Sequence, residues 1–159
     1  MKAIHWTIAA AALTFVQPAQ AGINDPEIII YRFPGVVDKS GTLAGEATVF
    51  QCTNFSGATE NIRIVIRIDD GSLVANQLYP IAHLATLTAT THATVAFSSF
   101  STKFVLGAFG ATIPPGTAAI AATSINIICT AMIVDGALLH PVGVALRGIR
   151  FAPIPGSQE

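Results

Sequence analysis

The segment from Ile62 to Ile68 constrains the fold more than any other part of the chain. Four isoleucines, at positions 62, 64, 66 and 68, alternate there with arginine or valine. A period of two places the isoleucines on one face of a β-strand and leaves the other face largely in water. The sequence Asp69-Asp70-Gly71-Ser72, typical of a hairpin turn, leads into a second apolar run from Leu73 to Tyr79. These features predict an antiparallel β-hairpin.

Strand signals recur along the rest of the chain, whereas helix signals are rare. Runs of β-branched and aromatic residues predict further strands at 27–37, 46–53, 85–97, 118–124, 127–135 and 144–151. Pro80 and the run Ile113-Pro114-Pro115-Gly116 are expected to break strands. About seven or eight short strands with turn signals between them predict an all-β domain, an immunoglobulin-like β-sandwich.

Two cysteines, Cys52 and Cys129, bear on both the fold and the compartment. An even number of cysteines in an exported chain predicts a disulfide bond, and two buried free thiols are the alternative. Cys52 lies in the second predicted strand and Cys129 in the penultimate one, which is the placement of the inter-sheet bridge of immunoglobulin domains. Two hallmarks of true immunoglobulin domains are missing. No tryptophan follows residue 21, and Ile127 stands where a corner tyrosine is expected.

The first 21 residues predict export. Lys2 precedes an apolar run from Ile4 to Val16, and Ala19-Gln20-Ala21 has the small-x-small pattern of a cleavage site. The apolar run is shorter than the roughly 20 residues that span a bilayer. We therefore predict a signal peptide helix over residues 1–21 with cleavage between Ala21 and Gly22. A single domain over residues 22–152 and a flexible C-terminal tail over 153–159 are expected to follow.

The distribution of charge argues against two classes of partner. Seven basic and nine acidic side chains follow Ala21, a net charge of −2, and they form no block of either sign. Nucleic acids are bound through a basic stripe and anionic membranes through a basic cluster, so neither mode of binding is expected. Residues 117–134 are uncharged and approach the length of a membrane span. Polar residues near their middle and many β-branched ones favour two strands instead, and no stable membrane span is expected.

Three histidines, His83, His92 and His140, are the candidates for a metal site or a catalytic base. A blue-copper site combines two histidines with a cysteine and an axial methionine. Met132 follows Cys129 by only three residues inside a predicted strand, and a cysteine in a disulfide is not a thiolate ligand. The chain also contains no Gly-x-Ser-x-Gly nucleophile elbow. No catalytic, cofactor-binding or metal-ligating residue and no cofactor are therefore predicted.

The tripeptide Asn54-Phe55-Ser56 matches the acceptor pattern for N-glycosylation. The alternative is a turn after the second strand, in which asparagine and serine side chains bond to nearby backbone groups.

The segments Thr48–Ser56 and Cys129–Asp135 resemble those of small uncharacterised exported proteins of Gram-negative bacteria. The resemblance is carried by the residues around the two cysteines. It implies a location in the periplasm or the medium, and it brings no activity and no site residues. The sequence as a whole predicts an exported, non-enzymatic binding or structural module whose partner is another exported protein or a cell-surface component. The alternative is a small exported metal-binding protein or hydrolase that uses His83, His92 or His140.

Overall fold

The structure, a computed structural model, describes residues 26–39, 45–97 and 113–151, together with the backbone of residues 103–105. The predicted signal peptide, the cleavage position at Ala21 and Gly22, and the predicted tail lie outside these residues. Every regular element in the described ranges is a β-strand, which confirms the all-β prediction. The ten strands are β1 (Ile28–Asp38), β2 (Glu46–Asn54), β3 (Glu60–Arg67), β4 (Leu73–Ile81), β5 (Thr86–Thr90), β6 (Lys103–Val105), β7 (Ile113–Ala122), β8 (Ile127–Asp135), β9 (Val144–Leu146) and β10 (Ile149–Arg150).

The strands form two groups that are hydrogen-bonded into one continuous sheet. In the first group the order is β4-β3-β7-β1-β10, and in the second it is β6-β5-β2-β8-β9. All pairings are antiparallel except that of β5 with β6, which is parallel. The two groups join where the end of β1 meets the start of β2, at the pair Asp38 and Ala47. We call this point the joint.

One apolar cluster contains buried side chains from both groups of strands. The isoleucines of β3 (Ile62, Ile64 and Ile66) are fully buried there, as their alternation in the sequence predicts. The ring centroids of Phe33 in β1 and Phe50 in β2 lie 5.9 Å apart. The predicted hairpin is also confirmed, because β3 pairs with β4 and Ser72 donates its backbone N–H to the Asp70 side chain in the turn.

The prolines do not end strands at the positions where the sequence predicts breaks. Strand β4 runs through Pro80, and β7 begins at Ile113 and runs through Pro114 and Pro115. Strand β4 lies at the edge of the sheet, where a missing N–H is tolerated. The two prolines of β7 lie opposite a shift in register in β1 between Val36 and Asp38. Both predicted strand breaks are therefore wrong, because a strand tolerates proline at the edge of a sheet and beside a bulge.

The prediction of seven or eight strands was too low for a different reason. The predicted strand over 144–151 is two short strands, β9 and β10, which belong to different groups. Between them the chain passes Gly148, where a Cβ atom would lie 2.5 Å from the Phe33 ring. The predicted strand over 85–97 covers only β5, and the short β6 was not predicted.

Cys52 and Cys129 form a disulfide bond, as the sequence predicts. The two cysteines are directly opposite each other in the paired strands β2 and β8. The predicted location between two sheets was therefore wrong, because the bond joins neighbouring strands of one group. The sequence separation of 77 residues corresponds to a stabilisation of about 4 kcal/mol in the chain-entropy model.

Residues 117–134 form most of β7 and β8 with a turn between them. In the described part of the chain, no helix has the length and hydrophobicity to cross a membrane.

Candidate functional site

The three histidines singled out in the sequence do not meet in one site. His83 is exposed in the connection between β4 and β5, and His140 is exposed in the connection between β8 and β9. His92 is buried just beyond the other end of β5. The five residues of β5 alone separate His83 from His92 by about 13 Å. Over the described ranges, no three histidine, cysteine or carboxylate side chains are grouped so as to hold a metal ion.

His92 forms a buried pair with Asp38 at the joint. The Nδ1 atom of His92 lies 2.8 Å from Oδ1 of Asp38, and both side chains are almost fully buried. A carboxylate that orients an imidazole in this way is part of many catalytic bases. Here the other ring nitrogen, Nε2, has no hydrogen-bond partner among the described residues. It faces Gly136, where a Cβ atom would lie only 2.7 Å away.

The joint is held together by hydroxyl groups around the same pair. The Thr48 hydroxyl accepts a hydrogen bond from the Val37 N–H at 3.0 Å and donates one to the Val37 carbonyl at 2.9 Å. The Thr91 hydroxyl accepts from the Thr48 N–H at 3.0 Å. Strands β1 and β2 pair with each other through their backbones at one position only. The hydroxyl bonds supply additional hydrogen bonds next to that position. The Asp38–His92 pair therefore fits a structural role in connecting the two groups of strands.

The opposite end of β2 carries a different polar centre, the side chain of Asn54. Its Nδ2 atom donates to the carbonyls of Ala58 at 2.7 Å and Ile81 at 2.9 Å. Its Oδ1 atom accepts from the Ser56 N–H at 2.8 Å. Both amide hydrogens of this fully buried residue are thus used within the fold. The prediction of a turn at Asn54-Phe55-Ser56 is confirmed, and the folded protein offers no accessible glycosylation acceptor there.

Three connections converge around Asn54. The carbonyl of Asn54 accepts from the Leu84 N–H at 2.8 Å, in the connection between β4 and β5. The N–H of Phe55 donates to the carbonyl of Asn126 at 2.9 Å, in the connection between β7 and β8. The N–H of Gly57, in the connection between β2 and β3, donates to Nδ1 of His83, in the connection between β4 and β5, at 3.0 Å. Backbone and side-chain bonds therefore fix all three connections relative to one another.

Leu84 has a backbone conformation that leucine rarely adopts. Its φ is +60°, and among the non-glycine residues described it alone has a positive φ. The Ala85 N–H donates to the carbonyl of Ala82, so Leu84 occupies the third position of a turn that favours glycine. The left-handed region costs a leucine about 1–2 kcal/mol. The side chain is nevertheless 65% exposed, so burial does not offset this cost.

Two further apolar side chains are exposed at the same end of β2. Phe55 is 50% exposed and directly follows Asn54, and Ile128 is 47% exposed at the start of β8. Ile128 is the β8 partner of Thr53, whose hydroxyl lies 2.8 Å from that of Thr86 in β5. We call Phe55, His83, Leu84 and Ile128 the Asn54 surface. It presents three apolar side chains and one imidazole, from two connections and the start of β8, and it contains no lysine, arginine, aspartate or glutamate.

Of this surface, the sequence identifies only His83 as a candidate, and for another chemistry. Phe55 belongs to a sequence pattern only through the glycosylation tripeptide, and no pattern marks Leu84 or Ile128. No local signal marks Leu84, because a single leucine in a turn is not distinctive until its φ is known. A polar residue at Asn54, which follows the apolar inward-facing Phe50 and Cys52 of β2, is the signal that would have located this end.

Comparison with known proteins assigns no family to the chain. No protein-family model matches it, and no curated protein matches it. A solved structure described as the crystal structure of Thermotoga maritima 1070 is similar to 79% of this chain and 96% of its own, with 15% sequence identity and a TM-score of 0.48. A similarity at this level supports no conclusion about the fold or the function of this chain.

Proposed function

We propose that this protein is an exported, non-enzymatic interaction module that binds another exported protein or a cell-surface component through the Asn54 surface. The observation that carries the proposal is Leu84, held in a left-handed conformation while its side chain is exposed. Unfavourable backbone conformations persist where the surrounding structure fixes them, and they concentrate at functional sites. An exposed, strained leucine at the same end of β2 as an exposed phenylalanine is best explained by contact with a partner.

The fixed connections support binding by a surface that is already formed. The Asn54 side chain bonds to Ala58 in the first connection and to Ile81 at the end of β4, and its backbone carbonyl accepts from the Leu84 N–H in the second. The Phe55 N–H bonds to Asn126 in the third. Side chains presented on such connections lose little conformational entropy when they bind. Phe55 is half exposed, and an exposed aromatic residue is the kind of anchor that contributes strongly to protein interfaces.

We further propose that the two groups of strands form the two layers of a β-sandwich. Strands β1 and β2 pair with each other only at Asp38 and Ala47, so Phe33 and Phe50 are not neighbours in a ladder. Their ring contact and the single apolar cluster shared by both groups support two facing layers. In such an arrangement the connections at one end of the layers form a common binding surface.

Export to the periplasm or the medium, after removal of residues 1–21, is part of the same proposal. The Cys52–Cys129 disulfide supports it, because such bonds persist in oxidising compartments. Mass spectrometry of protein from an exporting host tests it. We expect a chain that begins at Gly22 and is two hydrogens lighter than its reduced form. An intact N-terminus would contradict export by this route.

Site-specific photo-crosslinking tests the interaction surface. A photoreactive phenylalanine analogue is placed at position 55 or 84 and, as a control, at Leu78, which is exposed on edge strand β4. We expect positions 55 and 84 to yield one defined adduct in the exporting host that position 78 does not yield. The same adduct pattern from all three positions, or none from 55 and 84, would contradict the proposal.

The histidines separate this proposal from the metal-binding or hydrolytic alternative. His92 is buried against Gly136, and His83 lies at the other end of β5. We expect a variant with His140 and His92 each replaced by glutamine, if folded, to keep the adduct at position 55. Loss of the adduct in that folded variant would direct attention back to the histidines.

A further inference from the structure

Strand β4 is the longest strand at an edge of the described sheet. Its nine residues pair with β3 on one side, and no other described strand pairs with it. An edge strand presents N–H and C=O groups that form a template for a strand of another chain. Charged side chains commonly protect such an edge, but no charged residue occurs from Gly71 to Thr102. The edge of β4 is therefore open to a further strand.

The hydrogen bonds of Asn61 show which backbone groups of β4 face outward. The Asn61 N–H donates to the Thr123 hydroxyl at 3.0 Å, and the Asn61 carbonyl accepts from the Thr123 N–H at 3.2 Å. Asn61 thus directs both backbone groups away from β4. Successive residues of an antiparallel ladder alternate in this respect. The β4 residues opposite Asn61, Arg63 and Val65 therefore direct their backbone groups to the open edge, and they are Pro80, Leu78 and Asn76.

Pro80 and a bulge leave one register in which two copies of β4 pair completely. With a twofold axis at Gln77, Asn76 of each copy lies opposite Leu78 of the other, and each such pair exchanges two backbone hydrogen bonds. An axis at Leu78 would place Asn76 opposite Pro80, which has no N–H. An axis at Asn76 would place Leu78 opposite Val74, the extra residue of the β4 bulge. The outward groups of β4 are therefore complementary to themselves about Gln77.

The side chains of β4 fit the same register by size. On the inward face, Ala75 would lie opposite Tyr79 of the second copy. Ala75 is buried in the apolar cluster, and Tyr79 is half-buried against it. A small side chain opposite a large one leaves room for the ring across the axis. On the other face, the exposed Leu78 would lie opposite Asn76 and become covered.

No like charges face each other in this register. The nearest cation, Arg63, is paired with Glu27 at 2.6 Å and also donates to the Asn76 side chain at 2.9 Å. The acidic turn residues Asp69 and Asp70 precede β4. Because the pairing is antiparallel, the two acidic turns lie at opposite ends of the paired strands. Electrostatic repulsion therefore does not oppose the pairing.

We propose that β4 pairs antiparallel with β4 of a second copy of this chain, about a twofold axis at Gln77, so that the two sheets become continuous. A strand of another protein would satisfy the same backbone groups. The match of outward groups, the sizes of the facing side chains and the absence of opposed charges are properties of β4 with itself. They favour a second copy as the occupant.

Sedimentation velocity over a concentration series tests the dimer. We expect a reversible equilibrium between monomer and dimer. Leu78→Pro removes an N–H of the open edge and leaves the bonds to β3 in place, so each dimer loses two hydrogen bonds. The dissociation constant should rise at least about tenfold. Leu78→Ala, the matched control, retains the N–H and should still form the dimer. Circular dichroism verifies the fold of both variants.

A cysteine at position 77 tests the register even if Leu78→Pro does not fold. Gln77→Cys should form a disulfide-linked dimer under oxidising conditions, because the two copies of residue 77 lie directly opposite each other. Leu78→Cys is the control. Its two copies lie two residues out of register, with Cα atoms about 8 Å apart, which is too far for a disulfide bond.

Three results would overturn the inference. They are a monomer at every concentration, a dimer that Leu78→Pro leaves intact, and equal linkage of the two cysteine variants. A photoreactive group at position 78 should yield only a dimer of this chain, and capture of another protein there would overturn the inference in favour of a different strand. The adduct from position 55 tests the Asn54 surface separately, since Leu78→Pro should leave that adduct unchanged.

Discussion

The two ends of strand β2 use buried polar residues in different ways. The inward-facing row of β2 is Thr48, Phe50, Cys52 and Asn54, apolar in the middle and polar at both ends. At the Thr48 end, the Asp38–His92 pair and two threonine hydroxyls connect the two groups of strands. At the other end, Asn54 uses both of its amide hydrogens and its carbonyl oxygen to position surface connections.

The difference lies in what each polar group holds in place. The joint connects elements of the sheet, and one of its ring nitrogens, Nε2 of His92, is left without a hydrogen bond among the described residues. The Asn54 side chain holds connections that display Phe55 and Leu84 to solvent. A buried polar group is therefore not by itself a mark of function. Its importance for function depends on whether the backbone that it fixes presents a surface.

The largest expected effect is at the joint. Asp38→Ala removes one partner of a buried pair and breaks the hydrogen bond between the His92 ring and the Asp38 carboxylate. We expect a loss of about 3–5 kcal/mol in the free energy of unfolding, measured by urea denaturation. The loss should shrink when His92 is replaced by leucine in the same chain, because no polar ring then remains buried. A loss below about 1 kcal/mol would mean that the pair does not hold the joint.

Asn54→Ala should have a somewhat smaller effect that is local to its end. Three hydrogen bonds disappear, and the buried groups that they satisfied are left unpaired, so we expect a loss of about 2–4 kcal/mol. Hydrogen exchange at the Leu84 amide should accelerate more than at the amides of β3. Asn126→Ala is the control, since that side chain is exposed, and it should cost less than about 0.5 kcal/mol. Equal losses in the two variants would remove the special role of Asn54.

Gly136→Ala tests how closely the joint is packed. The added Cβ would lie 2.7 Å from Nε2 of His92, so either the ring or the backbone must move. We expect a loss of about 1–3 kcal/mol, as for other overpacked sites. The loss should disappear in a chain that already carries His92→Ala, because the space is then empty. A double-mutant cycle measures this coupling, and strict additivity would show that Gly136 and His92 do not interact.

The smallest effect is expected at the exposed turn between β3 and β4. A side chain there accepts a hydrogen bond from a backbone N–H two residues later, as Asn54 does. The backbone N–H of Ser72 donates to the Asp70 carboxylate, and this bond and that of the Ser72 hydroxyl lower the pKa of Asp70. A lowered pKa in the folded state means that the stabilisation is present above the ordinary aspartate pKa. It is lost as the pH falls through the lowered value. The difference in Tm between the protein and Asp70→Asn should therefore be small at neutral pH and vanish in acid. A difference that grows in acid would contradict this sign.

The sequence predicts the parts of the fold that local patterns determine. The alternation from Ile62 to Ile68 identifies β3 and its hairpin, and an even cysteine number identifies the disulfide. The strand breaks predicted at the prolines are wrong because the tolerance of a strand for proline depends on position in the sheet. Pro80 lies on an edge strand, and Pro114 and Pro115 lie opposite a bulge, and neither condition is visible in the local sequence.

The residues of the candidate site could be predicted from the sequence even less well than the strands of the fold. Asp38 and His92 are 54 residues apart, so no spacing rule connects them. Phe55 and Leu84 lie at the same end of β2 because Phe55 follows Asn54, whose backbone carbonyl accepts from the Leu84 N–H. The exposure of Leu84 is informative only together with its positive φ, which is a property of the backbone and has no signature in the residue type.

Leu84→Gly tests the central claim most directly, because it separates stability from binding at one residue. Glycine adopts a positive φ without strain, so we expect a free energy of unfolding equal to or up to about 1 kcal/mol above that of the parent protein. The crosslinked adduct from position 55 should be lost in the same variant. A clear loss of stability would show that Leu84 serves packing, and an unchanged adduct would show that the Asn54 surface does not bind through Leu84. Either result would contradict the proposal that this leucine is retained for contact with a partner.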